Sequence, residues 1–113
     1  MSIKPDLEAL LIQLEYPVND ATLKQMEAIA NNTKDFSKFA KHIISLNDEL
    51  KKIGAAVAMS NSKSYLKIKL PEENSDKVEE FEEIVKHWAD KYKIKLEKVE
   101  GKNTYYILGQ HLD

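Results

Sequence analysis

Apolar positions along the chain fall into two periods, and the switches between them outline a fold. Leu7, Leu10, Leu11 and Leu14 recur three and four residues apart between Pro5 and Pro17. That is the stripe of a short amphipathic helix which one proline can start and the other stop. An Asn19 or Asp20 cap followed by Leu23, Met26, Ile29 and Ala30 predicts a second helix, broken at Asn31, Asn32 and Thr33. A third, capped by Asp35 and closed by Gly54, carries Phe36, Phe39, Ile43, Leu46, Leu50 and Ile53 in an alternating three-and-four seam. The fourth, capped by Asn74 or Ser75, repeats that seam with Val78, Phe81, Val85, Trp88 and Tyr92.

After each long helix the period drops to two. Residues 55–59, a polar loop over 60–64, and 65–70 with Leu66, Ile68 and Leu70 alternating against Lys67 and Lys69 predict a hairpin that Pro71 ends. Ile94 and Leu96 alternate with Lys95 and Glu97, Gly101 to Asn103 turn the chain, and residues 104–108 are rich in strand formers. Val99 breaks the alternation and reads as a bulge. Shifted by about 40 residues, one helix and hairpin fall on the other in pattern rather than identity, as when Ile53 meets Tyr92. The expected fold class is therefore α+β: a two-layer sandwich with an N-terminal helical hairpin, then a repeated helix-strand-strand unit forming a four-stranded antiparallel sheet. A single domain over 1–113 divides into the helical hairpin (1–33), the first helix-hairpin unit (34–71) and the second (72–113). A winged-helix-like N-terminal part with an appended helix and hairpin is the alternative. The order helix, two strands, helix, two strands also resembles the pterin carbinolamine dehydratase topology. That family's histidine-rich motif is missing, since Ile43 and Ile44 follow His42. The resemblance implies strand order only, with no residue or activity.

Composition narrows the chemistry. Cysteine is absent, which removes disulfides, thiolate nucleophiles and cysteine-bound metals. All 17 basic residues are lysines, so the chain can offer charge to a phosphate but no planar guanidinium fork. The net charge of −2 hides a basic segment, 34–71, with eight lysines against three acids, followed by an acidic one, 72–83, with seven acids against one lysine. No apolar run approaches a membrane span, and Met1 to Glu15 lacks a signal-peptide pattern. The expected setting is cytoplasmic, without a membrane.

Catalytic signals are sparse. Glu79, Glu83 and His87 share a stripe on the fourth helix, the weak candidates for a metal or an acid/base pair, although a solvated helix face explains all three. His42 can approach His87 if the long helices pack side by side, and His111 sits in the tail. Neither a nucleophile elbow nor a glycine-rich phosphate loop is present, so no cofactor is expected and the reading leans away from an enzyme. The first expectation is a non-enzymatic protein-interaction or regulatory module, self-associating through Leu7, Leu10, Leu11 and Leu14, unless those leucines complete a monomer's core. The alternative is nucleic-acid binding through helix 35–53 and the 55–70 hairpin, with Lys34, Lys38, Lys41, Lys63, Lys67 and Lys69 as contacts.

Overall fold

A computed structural model describes residues 7–60 and 62–110; the predicted helix start at Pro5 and the tail residue His111 lie outside the described residues. Along these, α1 (Leu7–Gln13), α2 (Asp20–Asn32), α3 (Phe36–Lys51), β1 (Ala56–Met59), β2 (Leu66–Lys69), α4 (Val78–Tyr92), β3 (Ile94–Lys98) and β4 (Thr104–Gln110) follow in order. A 3-10 stretch over Glu72–Lys77 leads into α4. The strands form one antiparallel sheet in the spatial order β1-β2-β4-β3, and α3 and α4 pack beside each other on one of its faces. This is the expected α+β sandwich. The second strand of each helix-hairpin unit lies inside the sheet and the first at its edge, as two like units produce when they join through their second strands. The winged-helix alternative is overturned. The α3 seam of Phe36, Phe39, Ile43, Leu46 and Leu50 is buried, and β2 pairs with β4 instead of projecting in a free hairpin.

Helix ends show where local signals were overruled. Asn19 caps α2 as expected, its Oδ1 accepting from the Thr22 N–H at 2.9 Å while the Thr22 hydroxyl accepts from the Asn19 N–H. Asp35 does not cap α3 with its side chain; it takes φ 57°. The cause is tertiary, because the Lys34 carbonyl just before it accepts from the Gln110 N–H at 3.0 Å, tying the α2–α3 link to the end of β4. Asn74 likewise spends its side chain elsewhere, donating to the Gly54 carbonyl at 3.3 Å. Helix α1 stops ahead of Pro17 because Glu15 turns left-handed at φ 66° and the Tyr16 N–H reaches back to the Leu11 carbonyl at 2.9 Å, a Schellman closure. The bulge is not at Val99, which closes the β3–β4 turn onto the Thr104 carbonyl. Lys95 faces Gly109 while Leu96 faces Ile107, so Leu108 is the extra residue.

One hydrophobic cluster draws on every helix and strand of the described residues. Its sheet side includes Val57, Met59, Leu66, Ile68, Ile94, Tyr105 and Ile107, and its helix side α3 and α4 with Phe81, Val85 and Trp88. Leu10, Leu11 and Leu14 belong to the same cluster at 2%, 0% and 7% exposure, with Leu7 packed partly against it. The α1–α2 pair leans on α3 and on β1, so these leucines complete the core and do not present a face. Together with α3, the pair also closes an open sheet edge. Of the outward N–H groups of β1, Val57 donates to Asn47 Oδ1 and Met59 to the Tyr16 hydroxyl, both at 2.9 Å, while Gln25 donates to the Ser60 carbonyl at 3.2 Å. No helix among the described residues is long and apolar enough to cross a membrane.

Candidate functional site

The face of the sheet opposite α3 and α4 is built by simple alternation. With Tyr105 and Ile107 turned inward, Tyr106 points out from the central strand β4. Strand register then sets Ala58, Lys67, Tyr106 and Glu97 in a row across the sheet, with Lys69 beside Thr104 in the row below. Lys69, Lys95 and Glu97 are exposed, and Lys67 and Tyr106 are half-buried. The β1–β2 loop folds back over this face. Lys63 Nζ sits 5.2 Å from the centre of the Tyr106 ring and 3.7 Å from the Glu97 carboxylate, and the Ser62 hydroxyl lies 3.3 Å from the Tyr106 hydroxyl. The Tyr65 ring stands 6.3 Å from that of Tyr106.

Electrostatics on this face are positive. Hydrogen bonds from Ser62 and Ser60 are the chief reason that the Tyr106 phenol titrates below its ordinary range, and the nearby Lys63 and Lys67 ammonium groups lower it further. The opposite sign collects around α4, where Glu72, Glu73, Asp76, Glu79, Glu80 and Glu83 stand largely exposed.

The structure divides the six lysines singled out from sequence. Lys63, Lys67 and Lys69 come together at the open face. Lys34 is bridged to Gly109 at the end of β4, and Lys38 and Lys41 sit in the first turns of α3, in the other layer, with Lys38 3.7 Å from Asp35. Glu79, Glu83 and His87 are exposed on α4, and no group of three or more histidines, cysteines or acids among the described residues is arranged to hold a metal. His42 does not meet His87; it stacks on Tyr92, centroids 3.8 Å apart and planes at 15°, while its carbonyl accepts from Trp88 Nε1 at 2.9 Å. Burial, then Lys41 and Lys91, lowers its pKa. His87 lines a groove of about 510 Å³ between α3 and α4 with Ser45, Glu49, Trp88 and Tyr92.

A second concavity, about 660 Å³, opens where the sheet ends beside the β3–β4 turn, lined by Lys69, Lys98, Lys102, Asn103 and Thr104 together with Glu72 and Glu73. Sequence reading passed over Tyr65, Tyr106, Lys98 and Lys102. The alternation of residues 104–108 contained the signal for Tyr106, since the residue between two core positions of a strand must face away from them. No family model, curated protein or solved structure matches the chain, and the open sheet face with its adjoining cleft is what its own geometry offers as a functional surface.

Proposed function

We propose that this chain is a non-enzymatic binding module whose contact surface is the open sheet face and whose ligand is a single-stranded nucleic acid. One observation carries the reading: Tyr106, on a central strand, lies between Lys67 and the overhanging Lys63, with Tyr65 and Lys69 on the same face. Exposed rings on a sheet accept bases by stacking, at about 1–3 kcal/mol per base, while flanking cations follow the phosphates. With lysines alone on the surface, charge and stacking dominate over hydrogen-bonded reading of base edges, so affinity is expected to be tolerant of sequence. Lys63 would leave Glu97 and the Tyr106 ring to meet the strand, which costs little because both contacts are solvent-exposed. The α3 lysines take no part.

Fluorescence anisotropy with labelled single-stranded oligonucleotides at low salt tests this. Three lysine contacts predict a log–log salt slope of about −2. Lys67→Glu with Lys69→Glu is expected to abolish binding and Tyr106→Ala to weaken it about tenfold or more. Lys38→Glu with Lys41→Glu is expected to leave it unchanged. Absence of any complex, or equal loss from both lysine pairs, refutes the assignment.

A second reading keeps self-association but moves its surface. Ile12, 61% exposed, and Val18, 41% exposed, are the large hydrophobics left outside on the segment that caps β1. They are the side chains on which a second copy would settle. Sedimentation at tens of micromolar decides: a wild-type monomer ends this reading, and a dimer dissociated by Ile12→Asp supports it.

A further inference from the structure

We infer that the cleft at the end of the open face receives the terminal phosphomonoester of the bound strand, an inference that rests on the nucleic-acid reading above. Lys69 belongs to both surfaces: it lies in the open-face row beside Thr104 and also forms a wall of the cleft. A strand following Lys67 to Lys69 is thus led to Lys98, Lys102, Asn103 and Thr104. Lys98 arrives from the inward row, where its ammonium shares Glu82 at 3.6 Å, so the cleft wraps around the end of the sheet. Among the described residues, Lys69 and Lys102 have no carboxylate partner. Nor, among the described residues, does the Thr104 hydroxyl or the Asn103 side-chain amide make a hydrogen bond. Thr104 is nevertheless 7% exposed, a buried polar residue in the lining of the cleft.

The charge pattern chooses a chain end over a continuing chain. A phosphomonoester carries about −1.5 to −2 charges at neutral pH and offers three strong acceptor oxygens. An internal diester carries one charge and must be followed by another. Glu72 and Glu73 line the same cleft, and they begin the segment with seven acids against one lysine. A diester chain continued along that segment would meet its further carboxylates, whereas a terminal group stops at the cleft, where three ammonium groups stand against two carboxylates.

The test compares oligonucleotides of one sequence ending in a 5′-hydroxyl, a 5′-phosphate or a 3′-phosphate, by anisotropy at low salt, beside inorganic phosphate followed through the amide resonances of Gly101 to Thr104. One phosphorylated end is expected to bind about fivefold more tightly or better than the hydroxyl end. Lys102→Gln, on the β3–β4 turn away from the open-face rows, is expected to remove that gain without weakening the hydroxyl-ended strand. Equal affinity for all three ends overturns the inference while leaving the open-face reading intact. If no oligonucleotide binds, both fall, and resonance shifts with inorganic phosphate would then assign the cleft to free phosphate.

Discussion

Replacing Asn47 by alanine asks whether the edge strand β1 depends on side chains for its outward hydrogen bonds. Asn47 is 2% exposed on α3, and its Oδ1 accepts from the Val57 N–H at 2.9 Å; its Nδ2 donates to the Gln13 carbonyl at a long 3.4 Å. Val57 is itself 2% exposed, so water cannot replace the lost acceptor. Stranding that N–H costs about 1–3 kcal/mol, and the longer bond and the space left by the amide bring the expected loss to about 2–3 kcal/mol. For a chain of this size that lowers the melting temperature by about 10 °C or more. Guanidinium unfolding followed by Trp88 is the assay. It is the sole tryptophan, 5% exposed and packed edge-on to Phe39 at 6.5 Å, so its emission reports loss of the α3–α4 contact. The denaturant slope should not change, since the folded surface is the same. Tyr16→Phe is the milder companion: Met59 loses its acceptor at a half-buried site that water can reach, for about 0.5–1 kcal/mol. A loss below about 0.5 kcal/mol for Asn47→Ala, or full stability for Asn47→Leu, which fills the space but accepts nothing, refutes the reasoning.

Gly109→Ala is expected to destabilise the fold by about 2 kcal/mol or more. Gly109 has φ 147°, and a Cβ there would meet the Lys34 backbone nitrogen and Cβ at 2.8 Å; a melting temperature equal to wild type would show that the link between α2 and β4 gives way freely. Stability should also fall as pH drops below about 6.5, the unfolded histidine value. The folded protein holds the His42 pKa below that value, through burial and then Lys41 and Lys91, so in this window the unfolded chain takes up the proton that the native site resists. Unfolding midpoints at pH 7.5 and pH 5 measure it. His42→Phe should flatten the slope, and an unchanged slope in that variant would assign it to other groups.

Periodicity by itself determined the helices, the two hairpins and the α+β class. A seam such as Val78, Phe81, Val85, Trp88 and Tyr92 can be buried only as a helix, and Leu66, Ile68 and Leu70 only as a strand. It also determined that the hairpin lysines Lys67 and Lys69 would face away from the core. What it left open were contacts between segments distant in sequence. Asp35 and Asn74 have good local capping chemistry, yet tertiary partners, the end of β4 and the Gly54 carbonyl, decided their conformations. The leucines of α1 have the same spacing whether they face a partner or a core. Only the tertiary structure, in which α1 packs against α2 and α3, decided that they turn inward. The six lysines belong to one basic segment, and the fold places three of them on the open sheet face and three around the start of α3. Local spacing dictates which face of an element is apolar; which elements share a face follows from strand order and register, and these depend on burying all the apolar faces at once.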